Sequence, residues 1–157
     1  MKTRFLKSAL VLLFMMIGVN FVSAQIGPVV SVSENKSSLP PEIITFISSY
    51  FPAATVKEVE LKTIEGAYEI ELNNNYDLKF VKKTSQWLQI DAPDNSIIPQ
   101  ILVKDLLPGE IYNVLVRNNV VYVINEMTYN PAKGYKIETT GDKEFYFDLN
   151  GNKIRRF

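Results

Sequence analysis

Along residues 39–157 the apolar positions change period several times. Behind Leu39-Pro40-Pro41, residues Ile43, Ile44, Ile47 and Phe51 recur at helical spacing, which predicts a short helix. Proline suits its first turn, where the missing N–H costs no bond. Pro52 disfavours helical backbone at Phe51, so the helix stops there. The period then shortens to two. Val59 and Leu61 alternate with Glu58, Glu60 and Lys62, predicting a strand within Thr55 to Ile64. A turn at Glu65-Gly66 leads to Tyr68, Ile70 and Leu72, alternating with Ala67, Glu69 and Glu71. Asn73-Asn74-Asn75 turns again, since asparagine tolerates left-handed backbone. Leu78 and Phe80 alternate with Asp77 and Lys79, and Gln86 to Asp91 closes the unit as a fourth strand.

The same grammar recurs downstream. Pro108 opens a helix with Ile111, Val114 and Leu115 as its stripe, and Val120 to Tyr129 reads as a strand. Tyr135 and Ile137 alternate with Lys136 and Glu138, and Phe145, Phe147 and Leu149 with Glu144, Tyr146 and Asp148. Asn150-Gly151 is a hairpin signal before a last strand at Lys153 to Phe157. Shifting residues 39–90 by 67 superposes them on 106–157 without a gap, matching Leu39 to Leu106, Pro41 to Pro108, Tyr68 to Tyr135, Ile70 to Ile137, Glu71 to Glu138 and Phe80 to Phe147. Such a period marks an internal repeat. One match is uneven: Trp87 with Ile154 and Ile90 with Phe157 are spaced by three, which predicts a bulge or twisted end in that strand.

Each unit is a helix followed by a four-stranded antiparallel sheet with one covered face. The fold class is therefore α+β, with two units sharing an extended sheet of about eight strands and helices on one side. The expected inward set is Ile44, Ile47, Val59, Leu61, Tyr68, Ile70, Leu78, Phe80, Ile111, Val114, Tyr135, Ile137, Phe145 and Phe147. Units at 39–91 and 106–157 are joined by a linker, 92–105, in which Ile97 to Lys104 can hold a short helix.

The chain start has a different character. Lys2, Arg4 and Lys7, the apolar run Ala9 to Val19 and the small residues Val22-Ser23-Ala24 read as a secretory signal peptide over 1–24, with cleavage near Ala24. The apolar run is shorter than the roughly 20 residues a bilayer requires, so no membrane span is expected after cleavage. Residues 25–38 are polar and without period, and read as a flexible leader. The signal takes three of the 17 basic residues and none of the 17 acidic ones, leaving 14 − 17 = −3. That charge disfavours nucleic-acid binding. The absence of cysteine excludes disulfides and thiol chemistry, and the absence of histidine removes the usual general base and the commonest metal ligand.

In the first copy Leu39, Pro40, Tyr50, Phe51, Pro52, Gly66, Tyr68, Ile70, Leu72, Leu78, Phe80, Trp87 and Ile90 form a pattern. In the second copy Pro99, Leu107, Pro108, Ile111, Gly134, Tyr135, Ile137, Phe147, Gly151 and Phe157 carry it. This pattern resembles the PepSY-like, β-lactamase-inhibitor-like family of exported bacterial proteins. The resemblance implies a tandem repeat with a concave antiparallel sheet, a periplasmic or secreted location, no established catalytic activity and no cofactor. It supplies no binding residues. The chain departs from the family pattern at Asn74-Asn75 and Thr84-Ser85, where turn glycines are usual.

The candidate site is the open sheet face, with Glu69, Glu71, Lys79, Trp87, Lys136, Glu138 and Tyr146 pointing outward beside Asp77 and Glu144. Tryptophan and tyrosine among charges are typical interface anchors, which suggests a protein partner in the cell envelope. A solvated face of cross-strand charge pairs is the plainer alternative. A small-ligand site between the sheet and residues 97–107 is a second functional reading. A hydrolase using Glu69 and Glu71 is a third, and it would need a pocket and one carboxyl of raised pKa. Asp148-Leu149-Asn150-Gly151-Asn152 faintly resembles the start of a calcium loop but lacks its downstream glutamate.

Overall fold

The computed structural model describes residues 32–33 and 39–157. The signal peptide, its cleavage site and most of the leader lie outside the described residues. Helix α1 spans Pro41–Tyr50 and starts behind an N-cap at Pro40, as the prolines predict. Strands β2 (Val56–Lys62), β3 (Ala67–Leu72), β4 (Asp77–Val81) and β5 (Trp87–Asp91) follow. Helix α2, Gln100–Leu106, falls where a short helix is expected, and α3 spans Gly109–Arg117. Strands β6 (Ile124–Asn130), β7 (Gly134–Thr139), β8 (Glu144–Phe147) and β9 (Lys153–Ile154) complete the second unit. Val32–Ser33 form β1 against Leu61 and Glu60, so the segment read as leader contributes two residues to the sheet edge.

Among the described residues, nine strands make one antiparallel sheet in sequence order, β1 to β9. The repeat is visible in the elements: an offset of 67 carries β3 onto β7 residue for residue and α1 onto α3 within one residue. β5 of the first unit pairs directly with β6 of the second, through Gln89 with Thr128, Ile90 with Met127 and Asp91 with Glu126. That seam makes two four-stranded units one sheet.

The three helices cover one face. Their stripes, Ile43 and Ile47 of α1, Leu102 and Val103 of α2, and Ile111 and Leu115 of α3, join the strands in one core. The deepest strand positions form a continuous apolar row in register, Val59–Ile70–Leu78–Ile90–Met127–Ile137–Phe145. Phe46 sets its ring edge-on to Phe80 at 5.1 Å, fixing α1 over β4. Tyr50 Oη donates to Asp105 at 3.2 Å, tying α1 to α2.

The inward set holds apart from Ile44, with Val114 and Tyr135 packed at the rim of the core. Ile44 is 50% exposed; the stripe runs through Leu39, Ile43 and Ile47, four residues apart, and leaves Ile44 a helical step to the side. The strand expected from Val120 begins only at Ile124. Instead Asn119 adopts φ 55° and Val120 N–H bonds to Leu115 O at 2.8 Å, closing the C-terminus of α3. This left-handed closure consumes Val120 and Val121 as buried turn residues.

Trp87 is the main correction. It was expected on the open face, yet it is 6% exposed and lies in the helix-side core. The register shifts between β4 and β5, with Lys79 opposite Gln89 but Phe80 opposite Trp87. Leu88 is the extra residue, so Trp87 and Ile90, three apart, both face inward. This is the bulge that the uneven spacing predicts. The same spacing excludes Trp87 from the outward side.

Candidate functional site

Among the described residues the opposite face of the sheet carries no helix, and the register orders its side chains into rows. One row reads Glu58–Glu71–Asp77–Asp91–Glu126–Glu138–Glu144 across β2 to β8. Every consecutive pair is directly cross-strand, so seven carboxylates stand in line. With strands about 4.8 Å apart, the row extends about 29 Å. Each member is the chain neighbour of one residue of the apolar core row: alternation sends one inward and the other outward. The second row is mixed, Glu60–Glu69–Lys79–Gln89–Thr128–Lys136–Tyr146–Ile154.

Like charges directly opposite destabilise a sheet, and four lysines offset part of this. Lys57 Nζ lies 2.6 Å from Glu71. Lys62 reaches Glu60 at 2.6 Å and Glu69 at 3.2 Å. Lys79 bonds Glu65 and lies 3.1 Å from Glu69. Lys136 is the hub of the second unit, 2.8 Å from Glu138, 3.2 Å from Glu144 and 3.9 Å from Glu126. Burial alone would lower the Lys136 pKa, but its three carboxylates hold it well above the ordinary lysine value. Burial likewise opposes and Glu65 and Glu69 override at Lys79, which is also raised.

Of the sequence-predicted site residues, Glu69, Glu71, Lys79, Lys136, Glu138 and Tyr146 lie on this face, and Trp87 does not. Tyr146 is on the face but is no exposed anchor. It is 8% exposed, with the Phe157 ring edge-on at 5.2 Å. Its hydroxyl donates to Glu144 at 2.9 Å. That hydrogen bond, with Lys136 beside it, lowers the Glu144 pKa, whereas burial and Glu144 raise that of Tyr146. The second unit's part of the face is thus closed by its own side chains. Over the first unit a cleft of about 390 Å³ opens, lined mainly by Glu58, Glu60, Glu69, Glu71, Asp77, Lys79, Gln89 and Asp91.

Glu58, Asp91, Glu126, Gln89 and Thr128 belong to the site and were not singled out from sequence. The alternation in each strand shows them as outward, but only the cross-strand register, with the β5–β6 seam, places them in line. The carboxylate row is also a repeat feature. Glu71 and Asp77 correspond to Glu138 and Glu144 at the offset of 67, and Glu58 to Glu126 one residue further, each strand carrying a bulge at that end. The mixed row is where the copies differ: Glu69 against Lys136, and Lys79 against Tyr146.

Two other candidates have simpler accounts. Ile98, Leu102, Val103 and Leu107 are buried, so the segment at 97–107 fills the space under the sheet proposed for a small ligand. Asp148 accepts from the amides of Asn150 at 2.9 Å and Asn152 at 2.8 Å, and from Asn152 Nδ2 at 3.0 Å, the geometry of a hairpin turn. Among the described residues, no group of three or more His, Cys, Asp or Glu could hold a metal ion, and no helix is long and apolar enough to cross a membrane.

A helix-backed antiparallel sheet, duplicated and open on one side, defines a class of tandem α+β repeat proteins. The family model described as "Putative beta-lactamase-inhibitor-like, PepSY-like" matches residues 30–86 and 82–155, and the chain belongs to this PepSY-like family. Three solved structures share the fold. A protein from Bacteroides vulgatus described as a "putative periplasmic protein of unknown function" is 20% identical, covers 80% of this chain and 97% of its own, and superposes with a TM-score of 0.66. A protein from Bacteroides thetaiotaomicron described as "putative calcium-regulated periplasmic" is 20% identical, with 80% and 94% covered and a TM-score of 0.68. A second protein from Bacteroides vulgatus, described as a "putative periplasmic protein", is 21% identical, with 82% and 98% covered and a TM-score of 0.69. No curated protein matches.

Proposed function

We propose that this chain is an exported, non-catalytic module of the bacterial cell envelope that binds a protein on its open sheet face. The observation that carries the reading is the asymmetry of the sheet: three helices cover one side, and a polar face with a cleft of about 390 Å³ occupies the other. The description of the structural neighbours as periplasmic supports the location, together with the signal-like start of the chain. Loss of Trp87 from the face moves recognition from aromatic anchors to charge and hydrogen bonds. The hydrolase reading loses ground for a physical reason. Carboxylate acid–base catalysis needs an enclosed, desolvated pocket, whereas Glu69 and Glu71 stand on an open sheet face, ion-paired to two lysines and one lysine respectively.

Gln89 and Thr128 are cross-strand neighbours at the seam, in the middle of the mixed row. The variant Gln89→Trp, Thr128→Trp places two large rings there without removing a charge. A partner captured from periplasmic extract by the wild-type chain is expected to be lost by this variant. Retention of that partner by a folded double variant would overturn the reading.

A further inference from the structure

Charge is distributed unevenly over this molecule. Residues 39–157 hold 13 basic and 16 acidic side chains, a net −3. The open face carries nine of the carboxylates, the seven of the row with Glu60 and Glu69, against four lysines, 57, 62, 79 and 136, and Arg156 beside Glu144 and Tyr146. Its net charge is 5 − 9 = −4, and the remainder of 39–157 is therefore −3 + 4 = +1. The negative charge is concentrated on the sheet surface that, among the described residues, no other layer covers.

From this complementarity we infer that the partner bound by the open face is a basic protein segment, whose arginine or lysine side chains lie along the carboxylate row over the first unit. The inference rests on the face-binding reading and gives it a chemistry. Cross-strand spacing of about 4.8 Å spreads the carboxylates along a line, whereas a calcium ion gathers six to eight oxygens at about 2.3–2.6 Å. A line of separate carboxylates suits separate cationic groups, and guanidinium most of all, because it meets a carboxylate with two parallel hydrogen bonds. The first unit is the seat. There Glu58, Glu60, Glu69, Glu71, Asp77 and Asp91 line the cleft against three lysines, 57, 62 and 79, a net 3 − 6 = −3, whereas in the second unit Lys136 and Arg156 stand beside Glu126, Glu138 and Glu144, a net 2 − 3 = −1.

The test is a fluorescence-anisotropy titration of the full chain with a labelled peptide alternating arginine and alanine, beside its glutamate–alanine counterpart. Binding is expected for the arginine peptide alone, and it should weaken as salt rises through the range where the Debye length falls below about 10 Å. The variant Glu71→Gln, Asp77→Asn, Asp91→Asn should raise Kd roughly tenfold or more, equivalent to about 1.4 kcal/mol. Neutralising Glu42 and Glu110 in the first turns of α1 and α3 should leave Kd unchanged. Equal binding by wild type and the triple variant, or by both peptides, would overturn the inference. So would failure of the arginine peptide to bind while calcium chloride raises the melting temperature, since the row would then serve divalent ions. A partner lost by Gln89→Trp, Thr128→Trp but kept by the triple variant would leave the face-binding reading intact and remove only its cationic assignment.

Discussion

Trp87 is the only tryptophan in the chain, and its replacement by alanine separates two readings of β5. Alternation alone places it on the solvent side, where truncation changes stability by no more than about 0.5 kcal/mol. The bulge places it in the core, opposite Phe80, with the rings of Tyr129 and Tyr135 at 5.8 and 6.4 Å. Removing a buried ring of that size costs about 3–5 kcal/mol, from lost transfer energy and from the cavity left behind. The upper half of that range applies if the site cannot collapse, and rings on rigid strands β4, β6 and β7 favour that outcome. Urea unfolding followed by far-ultraviolet circular dichroism avoids dependence on the deleted fluorophore. With an m value of about 2 kcal/mol/M, the midpoint should fall by roughly 1.5–2.5 M at unchanged m. Trp87→Phe keeps an aromatic ring in place and should cost about half as much. A midpoint for Trp87→Ala within about 0.3 M of wild type would refute the buried placement and the bulge that produces it.

Other outcomes follow from single contacts. Gly134 adopts φ 125°, and an added Cβ would lie 2.0 Å from Phe147 O and 2.8 Å from the Asp148 backbone, so Gly134→Ala must open the β7–β8 pairing; thermal melting should show a loss of at least about 3 kcal/mol. Tyr146→Phe removes the hydrogen bond that lowers the Glu144 pKa. Because that pKa is lower folded than unfolded, the contribution is present above the unfolded value and fades as pH falls through the folded one. Paired urea curves should therefore show a cost of about 1 kcal/mol at neutral pH, reduced after partial screening at this half-exposed carboxylate, and a smaller difference in acid. Lys136→Met leaves Glu126, Glu138 and Glu144 without their shared cation, and should lower the melting temperature by several degrees, less so at high salt.

How much of this was legible in the chain depends on the range of the interaction. Element types and the repeat come from local periodicity, and the helix-opening prolines Pro41 and Pro108 mark their boundaries well. Ile44 and Val120 were misread because helical phase and the left-handed closure at Asn119 depend on where each helix docks and ends. Trp87 shows a signal that was present but given too little weight: spacing by three predicts a bulge, and a bulge reverses the outward side. The carboxylate row is different in kind. Each strand displays its outward acid, yet the line across both units exists only because Asp91 pairs with Glu126, 35 residues away. Register set by distant pairing cannot be read from any one strand.

The central claim is that seven carboxylates stand in cross-strand line on an uncovered face, at a cost to stability. Asp77→Asn with Asp91→Asn removes three opposed pairs, Glu71–Asp77, Asp77–Asp91 and Asp91–Glu126. At about 0.2–1 kcal/mol per pair, and with part of the gain offset by the lost attraction of Asp77 for Lys57, the double variant should be more stable than wild type by up to about 1 kcal/mol in low salt. Urea unfolding at low and high ionic strength measures this directly. The predicted result is a midpoint raised in low salt, with the gain shrinking as salt screens the row. A double variant equal to or less stable than wild type in low salt would contradict the account.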